Sequence, residues 1–199
     1  APAGDVKQKV CAALGVPVQR SLALYAPTFR ADGNMNAYCV DYARLQHALQ
    51  RRFGGNWAIL IRLHPHVMQQ AQALQFDGET TFDATRYDDM QELLATADAV
   101  ISDYSSLMFD YGLTGRPCFQ FAVDIEAYRK DRNFYFSLDQ MPFPLAQDND
   151  ALERAVLEWR EEEAARTWKI FCETFGIQED GRASARCADW ILDKMDTKA

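Results

Sequence analysis

The sequence predicts an α/β fold, a doubly wound parallel sheet of the Rossmann-like type that carries extra helices at its carboxyl end. The first observation is that short apolar runs alternate with segments of helical period between Ser21 and Val123. The second is that no internal repeat or flexible linker interrupts this alternation. Strands that alternate with helices pair in parallel through right-handed crossovers, so one sheet with helices on both faces is expected.

The composition is that of a globular domain with a sizeable core, since the 199 residues are 48 % hydrophobic and 25 % charged. No apolar run reaches about 18 residues, so no membrane span is predicted, and the first residues lack the pattern of a signal peptide. The net charge of −8 argues against a nucleic-acid partner and against broad binding to anionic membranes. Five widely spaced cysteines without a CxxC pair are expected to be reduced thiols in a cytosolic protein.

Five runs rich in apolar residues are the predicted strands. The first is stopped by Pro27, and the third is the weakest because it mixes threonine with aspartate. In chain order they are SLALYAP (21–27), WAILIRL (57–63), TTFDAT (80–85), AVIS (99–102) and PCFQFAV (117–123).

Segments of helical period follow the first four strands and also form the tail. The pair Gly54–Gly55 ends the first helix, Pro65 lies in the first turn of the second, and DND at 148–150 opens the long tail helix. The expected domain is therefore single, with a lead-in at 1–20, a sheet core at 21–148 and carboxyl-terminal helices at 149–199. The predicted helices are 38–53, 65–74, 88–97, 105–113, 149–175 and 181–195.

Ligands of doubly wound sheets bind at the carboxyl ends of the strands, where the strand order reverses. The residues that directly follow four of the predicted strands therefore form the candidate site. They are 28–30, 64–66, 85–88 and 103–106.

The segment SDYSS places two hydroxyls at the point where a buried strand gives way to a helix. Free backbone N–H groups at the helix start, together with the hydroxyls of Ser105 and Ser106, would suit a phosphate. Helix capping by Ser105 or Asp103 is the alternative, because capping serines are common. Asp103 would repel a phosphate at close range, so we expect it to orient a hydroxyl or a backbone group.

The segment RLHPH follows the second strand and contributes Arg62, His64 and His66. His64 could hydrogen-bond a phosphate oxygen or pass a proton to a leaving group. Alternatively it is a loop histidine that caps the next helix. His64 and His66 could also bind a metal, but His47 lies in the middle of a helix and no cysteine is near, so no metal is predicted.

Thr28 and Arg30 follow the first strand and could reach the same cleft. An arginine fork donates two parallel hydrogen bonds, which suits a diphosphate, whereas the alternative is a surface arginine.

Three further side chains are candidates for contacts with a nucleotide. Tyr87 could stack on a base, while Asp88 beside it is expected to cap a helix. Arg129 and Arg132 form a basic group beyond the fifth strand, although charged runs of this kind usually face solvent. Taken together, these strand-end residues predict a nucleotide diphosphate site, and the absence of GxxxxGK[ST] and GxGxxG argues against a nucleoside triphosphatase or a nicotinamide enzyme.

Several segments in order resemble the carboxyl-terminal half of the CDP-glycerol glycerophosphotransferase family, which includes the teichoic acid polymerases. The match extends over about residues 5 to 195, and the SDYSSLMFD block is its most specific part. The segments are LALYAPTFR, ILIRLHPH, ADAVISDYSSLMFDYGLTGRPCFQF, RNFYF and EDGRASARCADWIL.

The resemblance implies one half of a two-domain enzyme of the glycosyltransferase-B type, with CDP-glycerol or a related CDP-polyol as substrate and no cofactor. An acceptor hydroxyl attacks the β-phosphorus, CMP leaves, and a teichoic-acid-like or capsule polymer grows. His64 corresponds to an essential residue at the donor phosphates, and the turn at Ser105 and Ser106 would hold the pyrophosphate. The family's second essential histidine lies in an HGTP-like motif of the amino-terminal acceptor domain, and this sequence has no such motif. The chain is thus expected to bind donor but to be inactive without that missing domain and its polyol-phosphate or glycan acceptor.

Two other functions remain open from the residues alone, a nucleotide-sugar glycosyltransferase or epimerase of the same fold and a non-catalytic nucleotide-binding module. A metal hydrolase built on His64 and His66 is a further alternative. The resemblance places the parent enzyme in the cytoplasm, peripheral at the inner face of the cell membrane. It does not choose between glycerol and ribitol phosphate.

Overall fold

The computed structural model describes residues 3–30, 37–64, 76–134 and 137–196. These residues form a six-stranded sheet, in which every pair of neighbours is parallel and the strand order is β3-β2-β1-β4-β5-β6. The predicted α/β fold with a doubly wound parallel sheet is therefore confirmed. The strands are Ser21–Tyr25 (β1), Trp57–Ile61 (β2), Thr81–Asp83 (β3), Ala99–Ser102 (β4), Cys118–Phe121 (β5) and Leu145–Ala146 (β6).

The described helices cover both faces of the sheet and form the tail, and a short 3₁₀ turn at Leu138–Gln140 precedes β6. They are Ala3–Leu14 (α1), Tyr42–Phe53 (α2), Met90–Thr96 (α3), Leu107–Gly112 (α4), Ile125–Asp131 (α5), Asn149–Glu158 (α6), Glu161–Phe175 (α7) and Ala183–Asp196 (α8).

Two hydrophobic cores lie on opposite faces because successive side chains of a strand point to opposite sides. On the face that we call the α2 face, Tyr25 and Ile61 pack with residues of α2 and α6. On the opposite face, which we call the α4 face, Leu24 and Leu60 pack with residues of α1, α3 and α4. The central strands are buried on both faces, which explains why their sequences are continuous apolar runs.

Side chains at the helix ends act as the sequence predicts in most places. Gly54 ends α2 at a φ of 73°, a conformation that glycine adopts without strain. Asp148 of the DND segment caps α6 by accepting a hydrogen bond from the Ala151 N–H at 2.7 Å. The expected capping by Asp88 is wrong, since Asp89 caps α3 with hydrogen bonds from the next turn.

The structure adds elements that the sequence did not predict. The lead-in contains α1, and the segment after β5 contains α5 and the two-residue strand β6. The long tail helix is divided at Trp159 and Arg160, because Arg52 binds the Trp159 carbonyl oxygen at 2.6 and 2.9 Å and the Trp159 ring packs edge-on against Phe53. The helix predicted at 65–74 lies outside the described residues.

Helix α8 exposes an unusually apolar surface. Trp190, Ile191, Leu192 and Met195 are between 52 and 64 % exposed, although buried side chains of these types normally stabilise a helix. Of the helices that the structure describes, none has the length and hydrophobicity that a membrane span requires.

Candidate functional site at the strand-order reversal

The loops that leave β1 and β4 meet where the strand order reverses, because β1 lies between β2 and β4 in the sheet. The Thr28 N–H donates to Asp103 Oδ1 at 2.8 Å, and the Thr28 hydroxyl donates to Asp103 Oδ2 at 3.1 Å. Asp103 also accepts from the Tyr104 N–H at 2.7 Å. Asp103 thus orients backbone and hydroxyl groups, which is the role that the sequence predicted for it.

Arg30 lies at the centre of this junction and is only 7 % exposed. Its Nε and Nη2 atoms donate to Asp124 at 2.6 and 3.0 Å, and Nη2 also donates to Asp103 at 2.8 Å. Its Nη1 atom donates to the Thr28 carbonyl and hydroxyl oxygens at 2.8 and 2.7 Å. All five N–H donors of the guanidinium therefore have a partner within the protein, and the alternative of a surface arginine is wrong.

Aromatic rings enclose the guanidinium. The rings of Tyr104 and Tyr128 are stacked with centroids 3.9 Å apart, and Arg30 Cζ lies 5.0 and 5.2 Å from them. The centroid of the Tyr38 ring lies 6.0 Å from Arg30 Cζ, and the Tyr38 hydroxyl donates to the Thr28 carbonyl oxygen at 3.0 Å. Such cation–π contacts stabilise a cation most where water is excluded. We call Thr28, Arg30, Tyr38, Asp103, Tyr104, Asp124 and Tyr128 the Arg30 hub.

Electrostatics within the hub favour the charged forms of its ion pairs. Burial alone would lower the pKa of Arg30, but the hydrogen bonds and negative charges of Asp124 and Asp103 raise it above its ordinary value. Burial would raise the pKa of Asp124, yet its hydrogen bonds with Arg30 and Tyr104 and the positive charge of Arg30 lower it. Burial, and then the charge of Asp124, raise the pKa of the Tyr104 hydroxyl, which stays protonated and donates to Asp124 at 2.9 Å.

The turn at Ser105 and Ser106 directly follows this junction and begins α4. Ser106 is the N-cap residue, but its side chain forms no capping hydrogen bond, and Ser105 Oγ accepts only a long one of 3.4 Å from the Leu107 N–H. The hydroxyls of Ser105 and Ser106 therefore contribute little to the capping of α4. Helix α4 has only six residues, so its helix dipole is small, and binding of an anion at its start stays a prediction.

Arg62 and His64 bring the loop after β2 to the same edge of the sheet. The Arg62 N–H binds the Tyr25 carbonyl oxygen at 2.9 Å, and the exposed His64 ring lies 5.7 Å from the Phe29 ring, between their centroids. Leu60 packs on the α4 face and Ile61 and Leu63 on the α2 face, so alternation directs Arg62 to the α4 face, where α4 begins.

Arg62 is a half-buried arginine whose guanidinium has no hydrogen-bond or ion-pair partner among the described residues. Burial lowers its pKa, and the negative charges of Asp89 and Asp88 only partly oppose that effect. A desolvated guanidinium without a carboxylate partner is an energetic cost that a bound anion would remove.

The remaining predicted residues lie farther from this junction or outside the described residues. The Tyr87 hydroxyl donates to Glu92 at 2.5 Å, and its ring packs on the α4 face. Arg129 and Arg132 are about half exposed and pair with Glu126 and Asp131 of their own segment. His66 lies outside the described residues. Donor binding by these four side chains stays a prediction.

An open hollow of about 400 Å³ adjoins the hub at the carboxyl end of β5, and Asp124 and Arg129 line it together with Ser137 and Asp139. Two others, of about 350 and 250 Å³, lie near the amino ends of β5 and β6 and share Phe143 as a lining residue. Because ligands of doubly wound sheets bind at the carboxyl ends of the strands, the hollow beside Asp124 is part of the candidate site. No cluster of three metal-ligating side chains occurs in the part of the chain that the structure describes.

Sequence reasoning missed Asp124, Tyr38 and Tyr128, and it gave Tyr104 no role although Tyr104 lies within the candidate range 103–106. Asp124 follows β5 at the same edge as the other candidates, so the strand-end rule applied to the fifth strand would have found it. Tyr38 and Tyr128 carry no local signal, because only the folded chain brings them to Arg30.

A family model described as CDP-Glycerol:Poly(glycerophosphate) glycerophosphotransferase matches residues 2–193, nearly the whole chain that forms this fold and this junction. The chain belongs to the CDP-glycerol glycerophosphotransferase family. This confirms the resemblance that the SDYSSLMFD and RLHPH segments indicated. Members of this family are enzymes that transfer phosphate-linked polyol units.

One curated relative within the glycerophosphotransferase family is the teichoic acid ribitol-phosphate primase of Bacillus spizizenii. It is 32 % identical over 172 residues, which cover 84 % of this chain and 43 % of the primase. The chain thus spans less than half the length of this relative.

Solved structures of the wall teichoic acid polymerase TagF share the fold. One has a TM-score of 0.69 and 29 % identity, and the match covers 98 % of this chain and 48 % of the polymerase chain. A variant of the same polymerase, soaked with CDPG, gives a TM-score of 0.69 and 26 % identity over 99 % of this chain and 48 % of that chain.

Proposed function

We propose that this chain is the donor-binding part of an enzyme that transfers glycerol phosphate, or a related polyol phosphate, from CDP-glycerol to an acceptor hydroxyl with release of CMP. The proposal rests on the half-buried guanidinium of Arg62 at the strand-order reversal, which has no ion-pair partner among the described residues and lies on the same sheet face as the Ser105–Ser106 turn. An anionic ligand there would restore the solvation that Arg62 loses on folding.

The diphosphate of the donor would lie between Arg62, His64 and the Ser105–Ser106 turn. Serine hydroxyls and free N–H groups donate hydrogen bonds to the phosphate oxygens, and the guanidinium supplies a positive charge. The hollow beside Asp124 and Arg129 has room for another part of the donor or for the acceptor. Tyr87, Arg129, Arg132 and His66 are proposed to make outer contacts with the donor.

The transfer itself requires positioning and neutralisation of charge more than covalent chemistry from the protein. The acceptor oxygen forms a bond to the β-phosphorus while the bond from that phosphorus to the CMP oxygen breaks. His64 donates a hydrogen bond or a proton on the leaving-group side, and Arg62 stabilises the charge that develops on the phosphate oxygens. The proton of the acceptor hydroxyl goes to a base outside this chain.

Several features of the whole enzyme belong to the same proposal. An amino-terminal acceptor domain would supply that base and bind the growing polymer, in teichoic-acid-like or capsule synthesis. The parent would act at the inner face of the cell membrane and would use no cofactor. This proposal is supported by the share of the relatives that this chain covers, 43 % of the primase and 48 % of TagF.

Isothermal titration calorimetry of the purified chain tests the donor. We expect weak binding of CDP-glycerol, with CDP-ribitol close to it and UDP-sugars much weaker, and negligible transfer by the chain alone. Replacing Arg62 with alanine should weaken CDP-glycerol binding at least about tenfold, since a charge-assisted contact is lost. Preference for a UDP-sugar would favour a nucleotide-sugar enzyme, and turnover equal to that of a full-length enzyme would contradict the need for an acceptor domain.

A further inference from the structure

We infer that Arg30 is a positioning residue and not a ligand of the donor, because it joins the loops after β1, β4 and β5 and thereby sets the Ser105–Ser106 turn. This inference rests on the proposed function, since the turn that it positions is the proposed phosphate site. It replaces the expectation that the Arg30 fork itself binds the diphosphate.

The N–H donors of the Arg30 guanidinium are already in use within the protein. Each of the five N–H donors of Arg30 already has an oxygen acceptor between 2.6 and 3.0 Å away. A phosphate could reach Arg30 only by displacing Asp103, Asp124 or Thr28. Displacement of either aspartate would leave its carboxylate without a counterion, which is strongly destabilising, and displacement of Thr28 would remove two hydrogen bonds from its oxygens.

The charge of the hub also disfavours a phosphate ligand on Arg30. Two carboxylates, Asp103 and Asp124, surround one guanidinium, so the group as a whole is negatively charged. A diphosphate in direct contact with it would be repelled, and the repulsion would be weakly screened because Arg30 is 7 % exposed. The neutralising cation must therefore come from elsewhere, and Arg62 has no partner among the described residues.

Hydrogen bonds connect Arg30 to the turn through Asp103. Asp103, which Arg30 holds, accepts from the Tyr104 N–H, and Gln120 of β5 donates to the Asp103 carbonyl oxygen at 2.7 Å. Both carboxylate oxygens and the carbonyl oxygen of Asp103 are thus fixed only two residues before Ser105. Hydrogen bonds to all three oxygens restrict the backbone at Asp103, and so the start of the turn, to a narrow range of conformations.

The direction in which one substitution, Asp124→Asn, changes the binding affinity distinguishes a phosphate ligand from a positioning residue. If Arg30 were a phosphate ligand, Asp124 would compete with the phosphate for it, and Asp124→Asn would leave binding equal or make it tighter. If Arg30 positions the turn through Asp124, the same substitution loosens the turn and weakens binding. The amide keeps the size of the carboxylate, so the change in packing is small.

The experiment measures CDP-glycerol and cytidine binding to wild type and to Asp124→Asn by calorimetry, with thermal unfolding of each. We expect about a tenfold loss of affinity for CDP-glycerol and no change for cytidine, because only the phosphates depend on the turn. A merely structural role would lower the unfolding temperature without changing the affinity of the folded chain. The matched control is Asp180→Asn, which breaks an exposed carboxylate–arginine pair with Arg186 in the tail and should leave affinity unchanged.

If Asp124→Asn fails to fold, NMR of the arginine side chains of the wild-type chain tests the role of Arg30 instead. The ¹⁵Nε–H resonance of Arg30 reports its bond to Asp124, and saturation with CDP-glycerol should move it far less than the corresponding signal of Arg62. A large shift of the Arg30 signal, or binding by Asp124→Asn that is equal to or tighter than that of wild type, would overturn the inference and leave the proposed function standing. Absence of CDP-glycerol binding by wild type would overturn the proposed function, and this inference with it.

Discussion

The indole ring of Trp168 in α7 lies against the backbone of Gly112 in α4, so closely that a Cβ atom on Gly112 would come within 2.4 Å of Trp168 Cζ3. This contact lets α7 approach the α4 face, where Trp168 packs on the core. The glycine is required for close approach of the two helices and not for its backbone angles.

Gly112→Ala should therefore destabilise the fold by about 1–3 kcal/mol, because the methyl group overpacks a rigid ring. Urea unfolding measures the change. The matched control is Gly4→Ala in α1, where nothing lies within 4 Å and alanine should stabilise the helix by about 0.5–1 kcal/mol. Equal stability of Gly112→Ala and wild type would mean that Trp168 does not occupy this position in solution.

Arg62→Met should make the folded chain more stable and a weaker binder of CDP-glycerol at the same time. The substitution removes a charge whose desolvation is only partly offset by the negative charges of Asp89 and Asp88, and we expect a gain of about 0.5–2 kcal/mol in the free energy of unfolding. Thermal unfolding and calorimetry measure the two effects. As a control, Arg116→Met removes hydrogen bonds to the carbonyl oxygens of Ala95 and Ala97 and should be destabilising. Destabilisation by Arg62→Met as well would show that Arg62 makes a stabilising contact and would contradict the prediction.

Asp77 closes the turn before β3 and should titrate at unusually low pH. Slight burial would raise its pKa, but hydrogen bonds from the backbone N–H groups of Thr81, Glu79 and Thr80 and from the Thr81 hydroxyl lower it to about 2. Because the folded pKa lies below the unfolded value, the stabilisation is present above about pH 4 and is lost as the pH falls towards 2.

Carboxyl ¹³C NMR against pH measures the pKa of Asp77 directly. Thr81→Val removes one of the four hydrogen bonds and should raise that pKa part of the way to its ordinary value. An ordinary pKa in wild type would contradict the turn geometry.

The five thiols should react with iodoacetamide in an order set by burial. All five are free; Cys187 and Cys39 are exposed, whereas Cys11 and Cys118 are buried. Burial raises the pKa of Cys118 and, to a smaller extent, those of Cys11 and Cys39, which leaves less thiolate to react.

Mass spectrometry of the native chain should find Cys187 modified first, Cys39 later, and Cys11 and Cys118 only after unfolding. In denaturant the differences should disappear, which provides the control. Early modification of Cys118 in the native chain would contradict the packing of β5.

The sheet could be predicted from the sequence because burial on both faces forces strands such as Trp57–Ile61 to be continuous apolar runs. The two-residue strand Leu145–Ala146 is too short to leave such a signal. The break between α6 and α7 was missed because the helical period continues through it, and the Arg52 side chain that binds the Trp159 carbonyl oxygen is 107 positions away.

The sequence predicted where the candidate site lies, but it did not predict what each residue does there. The strand-end rule brought Thr28, Arg30 and Asp103 to one junction, which the structure confirms. It could not tell whether the Arg30 fork faces a phosphate or a carboxylate, because the deciding partner, Asp124, lies 94 positions along the chain.

The exposed surface of α8 has an optical consequence. Trp57 is 3 % exposed and Trp190 is 63 % exposed, so the indole ring of Trp57 lies in the core and that of Trp190 lies mostly in solvent. Light emitted by Trp190 should be shifted to long wavelengths and quenched by iodide. Any molecule that later covers α8 would shift that emission to shorter wavelengths, and the chain therefore carries its own spectroscopic reporter for contact at its carboxyl end.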